Sequence, residues 1–340
     1  MKRRALITGA SGQDGSYLIE LLLAHDYEVH AQSRGPQPSG RHADALRWHT
    51  TGISDPAAIS DLIAAVMPDE IYNLASVSRP LDSWKIPYEA FKVNALIPLQ
   101  ICETVRQQCP SCRIFQATSS EIFGDSKINP QNENTPCNPQ TPYGIAKLAA
   151  HRVIGVFRQQ YGLHASSGIM FNHESPRRPL SYVSQKIAHA AAAASLGLRE
   201  TAEKDERGQP ILRDGVVHLG NLEVRRDFGF AGDYAAVIHR MLQQASADDY
   251  VIGTGESHSI GEFCELAFRH VGLNWRDHVV VDQELFRPVD SHHTMADAAK
   301  AIARLGWRAT TPFADLVAMM VDQRIAAFTS RTPRAAAGAQ

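Results

Sequence analysis

Long apolar runs are missing from this 340-residue chain, and so is any strong excess of charge of one sign. No stretch approaches the ~20 apolar residues that span a membrane, and the N-terminus is typical of a strand rather than a cleavable signal. We therefore expect no membrane partner and a cytoplasmic location. The net charge is −2, and basic residues come in pairs, as in Arg177-Arg178 and Arg225-Arg226. Such pairs suit discrete phosphates, so we expect no nucleic-acid partner.

Cysteine and histidine patterns indicate neither a disulfide framework nor a metal site. The five cysteines are an odd number without framework spacing. Cys109-Pro-Ser-Cys112 lacks a second ligand pair, which favours reduced thiols over a zinc or redox interpretation. The fifteen histidines include His292-His293 but no HExxH or comparable spacing, and we predict no metal.

Short apolar runs alternate with helical periods along the first half of the chain. Strands are predicted near residues 5–8, 28–32, 70–74 and 113–118. This alternation predicts an α/β fold, a Rossmann-like doubly wound parallel sheet with a smaller C-terminal substrate-binding domain. The length and a hydrophobic content of 44% are sufficient to bury such a core.

The first strand leads into a glycine turn and an amphipathic helix, in ALITGASGQDGSYLIELLLAH. Gly9, Gly12 and Gly15 permit a tight turn and a close approach of phosphate oxygens to backbone amides; the alternative is an ordinary glycine-rich turn. The second strand ends without the acidic residue that would hold a ribose 2′-hydroxyl, and it presents Arg34, with Arg41 shortly after. A cation suits a 2′-phosphate, so we expect NADP, against a solvated loop arginine as the alternative.

These signals divide the chain into regions. We place an NADP-binding Rossmann domain at residues 1–170, to which a segment of about 214–240 returns. Residues 171–325 are predicted to be mainly the substrate-binding domain, and residues 326–340 a disordered tail. The polar stretch 199–215 lacks apolar periodicity and is interpreted as an exposed, mobile insertion, with a lid as one alternative.

Tyr143 and Lys147 form the main catalytic signal, because one helical turn places both side chains on the same face. The ammonium group stabilises a phenolate, and the hydroxyl of Ser119 can share its proton. Glu121 adds a second acid/base, so the site can move protons at two positions of one substrate. Taken alone, the Tyr-x-x-x-Lys spacing also fits a half-buried tyrosine beside a solvated lysine.

Together, TGASGQDG, NLAS, SSEIFG, YGIAK and LGW resemble the extended short-chain dehydrogenase/reductases, also called the NAD-dependent epimerase/dehydratase family. More narrowly, FNHESPRR (171–178), LGNLEVRRDFG (219–229), DDYVIGTGESHSI and FRPVD resemble the GDP-mannose 4,6-dehydratases. The resemblance runs from residue 1 to about residue 325, apart from the polar insertion.

The resemblance implies a hydro-lyase that converts GDP-mannose to GDP-4-keto-6-deoxymannose. Tyr143 and Ser119 would take the C4 hydroxyl proton while hydride passes to NADP⁺, and the resulting ketone would acidify the C5 proton. Glu121 would remove that proton and assist loss of the C6 hydroxyl as water, after which hydride would return to C6. Lys147 would lower the pKa of the phenol and contact the nicotinamide ribose. Asn94 would either support this proton relay or serve helix packing or capping.

Binding residues are carried over from the same resemblance. The cofactor would contact Gly9, Ser11, Gly12, Gln13, Asp14, Gly15, Arg34, Leu74, Ala75, Ser76, Lys147, His173 and Arg178. The sugar nucleotide would contact Ser78, Ser120, Asn172, Asn221, Arg226, Arg287 and Asp290. Arg226 and Arg287 would clamp the diphosphate with their guanidinium forks. Ser120 would position the C6 oxygen or Glu121, or be a turn residue. Arg178 belongs to a loop that reaches a neighbouring subunit in this family, which implies a homodimer or homotetramer.

Several positions depart from the family's pattern. Ser119 stands where threonine is usual, and Thr51-Gly52 replaces a Gly-Asp pair that would bond the adenine amino group. SVSRP (76–80) replaces an Ala-Gln-Ser-His-Val run, and Asp290 replaces a glutamate. These changes leave open another nucleotide-sugar dehydratase, epimerase or decarboxylase with a different hexose, heptose or base. A non-catalytic NADP-binding sensor is the alternative from another class.

Overall fold

The computed structural model describes residues 2–35, 43–286 and 293–331. The chain divides into two compact units, which are described separately. Unit 1 comprises Met1–His173, Asp227–Glu256 and Val289–Thr310, and unit 2 comprises Glu174–Arg226, Ser257–Pro288 and Thr311–Gln340.

The strands in chain order are β1 (Arg4–Thr8), β2 (Glu28–Ser33), β3 (Leu46–Thr50), β4 (Glu70–Asn73), β5 (Arg113–Ser119), β6 (Ala165–Met170), β7 (Asn172–Glu174), β8 (Leu212–Arg213), β9 (Val216–Leu219), β10 (Arg225–Arg226), β11 (Phe228–Phe230), β12 (Tyr250–Ile252), β13 (His258–Ser259) and β14 (Val279–Val281). The helices are α1 (Gln13–Ala24), α2 (Pro56–Val66), α3 (Pro80–Lys85), α4 (Pro87–Phe91), α5 (Ile97–Gln108), α6 (Pro142–Tyr161), α7 (Val183–Ser195), α8 (Ala231–Leu242), α9 (Ile260–His270), α10 (Ala299–Leu305) and α11 (Phe313–Arg331). A π-helical turn (Lys92–Leu96) joins α4 to α5, and a 3₁₀ turn (Ser120–Ile122) follows β5.

Unit 1 is built on a seven-stranded sheet in the order β12-β6-β5-β4-β1-β2-β3. Every neighbouring pair in this sheet is parallel. The strand order reverses at β1, because β2 lies on one side of it and β4 on the other. In parallel sheets ligands bind beyond the carboxyl ends of the strands at such a reversal. The predicted doubly wound parallel sheet is confirmed.

Strand β1 shows how helices on both faces bury this sheet. Ala5 and Ile7 belong to a core with side chains of α1 and α8, whereas Leu6 between them packs with side chains of α2 and α5. Neighbouring side chains of a strand point to opposite faces, so a sheet covered on both faces needs an unbroken apolar run. RALIT meets that requirement, and its apolar residues are fully buried.

Unit 2 contains a small three-stranded sheet in the order β14-β9-β8, a two-stranded ladder of β10 and β13, and three helices. Helices α7, α9 and α11 pack against one another. The predicted apolar face of α11 is buried and consists of Phe313, Leu316, Val317, Met320 and Val321. Burial of apolar helix faces stabilises unit 2, because its strands are too short to be stable alone.

Three regional predictions need correction. The later segments of unit 1 are Asp227–Glu256 and Val289–Thr310 rather than 214–240, because β12 pairs with β6 as the edge of the sheet. Helix α11 continues to Arg331, so the tail predicted from residue 326 begins inside a helix, and residues 332–340 lie outside the described part. The stretch 199–215 is anchored, since Ile211 and Leu212 are buried and β8 pairs with β9.

Candidate active site

The glycine turn lies between β1 and α1, at the point where the strand order reverses. Gly9 has a φ of +68°, and a Cβ there would lie 2.8 Å from the backbone nitrogen of Ala75. Gly12 caps α1 without a side-chain hydrogen bond, and a Cβ on Gly15 would lie 2.7 Å from the Ala10 carbonyl oxygen. The turn therefore brings the start of α1 close to the sheet, with helix amides directed beyond the strand ends.

Leu74, Ala75 and Ser76 follow β4 and lie beside the glycine turn. The amide of Ala75 donates to Thr8 Oγ1 at 3.3 Å, and the hydroxyl of Ser76 donates to Asn94 Oδ1 at 3.0 Å. Asn94 also accepts from the Val77 amide at 2.9 Å and donates to its carbonyl oxygen at 3.1 Å. Asn94 lies in the π-helical turn, and these bonds give it a role in holding the segment after β4.

Ser119 and Glu121 lie where β5 ends and the 3₁₀ turn begins. The Ser119 hydroxyl oxygen accepts from the Glu121 amide at 3.3 Å, which caps the turn. Ser120 is buried between them, with 8% of its surface exposed. Three consecutive side chains are thus presented at the carboxyl edge of the sheet, where catalytic groups of such folds lie.

Helix α6 brings Tyr143 and Lys147 to the same edge. It begins after Thr141, whose hydroxyl oxygen accepts from the Gly144 amide at 2.9 Å. A Cβ on Gly144 would lie 2.7 Å from the carbonyl oxygen of Glu121, so the helix start packs directly on the 3₁₀ turn. The Tyr143 amide donates to Ser83 Oγ at 3.1 Å, which ties α6 to α3.

Lys147 is buried, with 2% of its surface exposed. Its Nζ donates to the Ala117 carbonyl oxygen at 2.9 Å and lies 5.7 Å from the centroid of the Tyr143 ring. Burial lowers the pKa of Lys147 from 10.5 to about 8, and the negative charge of Asp14 opposes this shift. The solvated-lysine alternative is therefore wrong, because the ammonium group is held inside the protein next to the phenol ring.

A row of buried polar side chains, which sequence reasoning missed, leads to this lysine. Thr8 donates to Asn73 Oδ1 at 2.5 Å, and Asn73 donates to Gln116 Oε1 at 2.7 Å. Gln116 then donates to the Ala117 carbonyl oxygen at 2.9 Å, the same atom that accepts from Lys147. Polar residues inside otherwise apolar strands were the signal that could have revealed the row, since buried polar groups need partners.

Asn172 and His173 follow β6 and lie in unit 1. The His173 ring contacts the first turn of α1, with Nε2 at 3.0 Å from Asp14 Oδ2. The Gln13 side chain donates to the His173 carbonyl oxygen at 3.0 Å. Gln13 and Asp14 of α1, both predicted to contact the cofactor, are thus in direct contact with His173, which is predicted to do the same.

The remaining predicted residues occupy several places. Arg34 and Ser78 are exposed in unit 1, and Arg34 lies just beyond β2. Arg178, Asn221 and Arg226 belong to unit 2, and Arg287, Asp290 and Arg41 lie outside the described residues. Arg178 Nε pairs with Glu174 at 3.2 Å, and its guanidinium lies 3.6 Å from the centroid of the Tyr182 ring.

The two paired arginines of β10 differ in their surroundings. Arg225 forms an ion pair with Glu262 at 2.7 Å, the structural alternative to a phosphate contact. Arg226 is buried, with 7% of its surface exposed, and donates to the Arg225 carbonyl oxygen at 2.8 Å. Asn221 Oδ1 accepts from the Glu223 amide at 2.9 Å.

The described part of the chain comprises residues 2–35, 43–286 and 293–331. This part of the chain contains no group of three His, Cys, Asp or Glu side chains that could hold a metal ion. It also contains no helix that combines the length and the apolar character needed to cross a membrane.

Solved structures of other proteins share this fold at low sequence identity. UDP-glucose 4-epimerase of Thermotoga maritima has a TM-score of 0.81 at 19% identity, covering 96% of this chain and 99% of that one. RMD from Pseudomonas aeruginosa, complexed with NADPH, has a TM-score of 0.78 at 20% identity, covering 96% and 100%. These matches show a shared fold.

Sequence relatives narrow this class. The family model described as GDP-mannose 4,6 dehydratase matches residues 6–320. GDP-mannose 4,6 dehydratase 1 of Arabidopsis thaliana is 39% identical over 339 residues, covering 95% of this chain and 90% of the relative. The Homo sapiens GDP-mannose 4,6 dehydratase is 35% identical over 349 residues, covering 93% and 90%. The chain belongs to the GDP-mannose 4,6-dehydratase family.

Proposed function

We propose that this protein is a hydro-lyase that dehydrates GDP-mannose to GDP-4-keto-6-deoxymannose with NADP. The observation that carries the proposal is the packing of the Glu121 turn directly on the start of the helix that holds Tyr143 and Lys147. Alcohol oxidation alone needs one proton acceptor, whereas elimination of water needs a second acid/base beside the first. Family membership supports GDP-mannose as the substrate.

Each catalytic side chain has a task set by its surroundings. Lys147 holds a positive charge near the Tyr143 ring, which favours the phenolate, and Ser119 shares the proton that Tyr143 takes from the C4 hydroxyl. When bound, the nicotinamide supplies reversible oxidation at C4 and reduction at C6. The C4 ketone makes the C5 proton acidic enough for a carboxylate, and Glu121 removes that proton and protonates the departing C6 hydroxyl.

NADP rather than NAD is the proposed cofactor because of the end of β2. Arg34 is exposed just beyond this strand, and the neighbouring Gln32 and Ser33 are buried and uncharged. A cation without an adjacent carboxylate favours a ribose 2′-phosphate over a 2′-hydroxyl. Arg34→Asp should weaken NADPH binding about tenfold or more while NADH binding changes little, measured by fluorescence titration. Equal loss for both cofactors would contradict the assignment.

Exposed apolar side chains on one part of unit 1 support a homodimer or homotetramer. Tyr88, Leu96 and Leu99 lie along the α4–α5 stretch, and Ile145 and Val156 lie on α6. Helix α6 contacts α4, the π-helical turn and α5, so these side chains lie on elements that pack against one another. A second copy presenting the same surface would bury them, as a two-fold interface requires.

A cytoplasmic location is also proposed. All five cysteines are free, and four of them are buried. Free thiols are typical of proteins kept in a reducing compartment. Microscopy of a fluorescent fusion would test the location, and a signal confined outside the cytoplasm would contradict it.

The substrate assignment is tested by product analysis. Purified protein with NADP is incubated separately with GDP-mannose, UDP-glucose, dTDP-glucose and CDP-glucose, and products are identified by mass spectrometry. We expect loss of water from GDP-mannose alone. Water loss from a different sugar nucleotide would replace the substrate but keep the reaction class. Isomerisation without water loss would indicate an epimerase and contradict the role of Glu121.

A further inference from the structure

Asp14 and His173 connect the first turn of α1 to the segment that follows β6. His173 Nε2 lies 3.0 Å from Asp14 Oδ2, and Gln13 Nε2 donates both to Asp14 Oδ1 at 3.1 Å and to the His173 carbonyl oxygen at 3.0 Å. The side chains of His173 and Asp14 are only 12% and 23% exposed. Two of these hydrogen bonds thus join segments that are far apart in the sequence, and the third, between Gln13 and Asp14, lies within α1.

The hydrogen-bond partners of the His173 ring require a particular protonation state. Nδ1 lies 2.8 Å from the carbonyl oxygen of Phe171, which can only accept. Nε2 faces the carboxylate of Asp14, which also accepts when ionised. With Asp14 ionised, both bonds form only when both ring nitrogens carry a proton, and the ring is then an imidazolium ion.

The groups around Asp14 and His173 show how the charge of this pair would affect the cofactor site. Asp14 stands in the first turn of α1, next to the glycine turn whose amides are directed at the proposed pyrophosphate. Its carboxylate also interacts electrostatically with Lys147 of α6. Tyr234 of α8 stacks on the His173 ring at a centroid distance of 4.6 Å. An uncompensated carboxylate at this place would repel the phosphates of a dinucleotide.

We propose that Asp14 and His173 are positioning residues of the cofactor site. Doubly protonated His173 neutralises the Asp14 carboxylate, so that the start of α1 accepts an anionic pyrophosphate. The same pair fixes that start against the segment that bears Asn172. The inference deepens the proposed function and rests on its cofactor assignment.

A double-variant cycle separates the charge role from a purely structural one. His173→Gln keeps an N–H that can reach Asp14 but removes the positive charge, and it should weaken NADPH binding about tenfold. Adding Asp14→Asn removes the unpaired carboxylate and should restore binding to within about threefold of the wild type. Fluorescence titration of NADPH at low and high salt is the measurement, and the defect of His173→Gln should shrink with salt.

A second His–Asp pair supplies the matched control. His270 Nε2 lies 2.7 Å from Asp322 Oδ1 in unit 2, on helices α9 and α11. His270→Gln, alone or with Asp322→Asn, should leave NADPH affinity unchanged. If the double variant of the first pair binds no better than His173→Gln, or if His173→Gln binds as tightly as the wild type, the charge role is overturned.

A measurement on the cofactor-free protein distinguishes a failure of the inference from a failure of the proposed function. The ¹⁵N resonances of the His173 ring near neutral pH should both be of the protonated type, and Asp14→Asn should shift one of them toward the unprotonated type. A neutral wild-type ring would overturn the inference. Failure of the wild type to bind any nicotinamide dinucleotide would instead overturn the cofactor assignment, and the resonances would still decide whether the charged pair exists.

Discussion

Lys147 is buried in its charged form, and this placement favours catalysis at a cost in stability. Its pKa is about 8 in the folded protein and 10.5 in the unfolded chain, so the unfolded chain binds the additional proton between these two pH values. The free energy of unfolding therefore rises with pH across this window. Below pH 8 the burial costs up to about 3 kcal/mol, reduced by the bond to the Ala117 carbonyl oxygen.

Lys147→Met should consequently abolish turnover and yet stabilise the protein at pH 7, by about 1 to 3 kcal/mol. The gain should shrink as the pH approaches 10.5, where the unfolded lysine also loses its proton. Urea unfolding followed by circular dichroism at several pH values measures both effects. Lys85→Met, at an exposed lysine, should change neither stability nor its pH dependence. A destabilised Lys147→Met protein at pH 7 would contradict this account.

Glu121 is expected to act after the first oxidation. Glu121→Gln should bind NADPH and GDP-mannose like the wild type, because the amide is nearly the same size. Elimination should fall by at least about 10³-fold, since the variant has no base at C5. Quenched-flow analysis of product, with binding measured by calorimetry, separates the two. Near-normal elimination by Glu121→Gln would remove the carboxylate from the mechanism.

The close contact between α6 and the 3₁₀ turn at Ser120–Ile122 is possible because Gly144 has no side chain. A Cβ at Gly144 would lie 2.7 Å from the Glu121 carbonyl oxygen, a backbone atom that cannot move without shifting the turn. Gly144→Ala should therefore lower the free energy of unfolding by about 1 to 3 kcal/mol and reduce turnover. Thermal unfolding and activity are the measurements.

Gly155 on the same helix is the matched control. The nearest atom to a Cβ there is an Arg158 nitrogen at 3.9 Å, at the far end of a flexible side chain. Gly155→Ala should stabilise the protein by roughly 0.5 to 1 kcal/mol, because alanine favours helix interiors. If the two variants changed stability alike, close packing of α6 on the turn would not be the cause.

Elements whose apolar residues follow a simple local pattern were predictable from the sequence. Elements that depend on hydrogen bonds to distant segments were not. RALIT is recognisable as an unbroken apolar run, and the face of α11 is recognisable because its burial repeats at the helix period. The π-helical turn at Lys92–Leu96 has no such signature, since its Asn94 accepts hydrogen bonds from the Ser76 hydroxyl and the Val77 amide, which lie in a distant segment. The polar row from Thr8 to Gln116 is marked in the sequence only by polar residues inside apolar strands, because its partners lie on different strands.

Within the candidate site, the placement of Tyr143 and Lys147 on one helix was predictable because helical spacing reports local geometry. Tyr143 and Lys147 lie one turn apart on α6, as the spacing indicates. The burial of Lys147 and the contact between Asp14 and His173 depend on tertiary packing, which a single sequence does not encode at a readable period. The family resemblance identified these residues as candidate site residues, but it did not identify the groups that they contact.

At the scale of the whole molecule, the least predictable feature was which later segments of the chain belong to unit 1. Residues 227–256 and 289–310 belong to unit 1 because β12 completes the sheet beside β6. A three-residue strand, YVI, carries too little pattern to reveal which sheet it joins. The predicted segment 214–240 therefore began too early.

The proposed oligomer gives a prediction at this scale. Ile145→Glu together with Val156→Glu places two charges on the exposed face of α6 and should convert the protein to monomers. Light scattering after size exclusion measures the mass. Val281→Glu, at an exposed apolar position of unit 2, is the control and should leave the mass unchanged. A monomeric wild type would contradict the proposal.

The most direct test of the whole account follows the sugar itself. The protein, NADP and GDP-mannose are combined in heavy water, and the product is analysed by NMR. We predict a 4-keto-6-deoxy sugar that carries deuterium at C5, because a ketone at C4 makes that position acidic and Glu121 exchanges its proton with solvent. A 6-deoxy product without deuterium at C5, or unchanged GDP-mannose, would contradict the central claim.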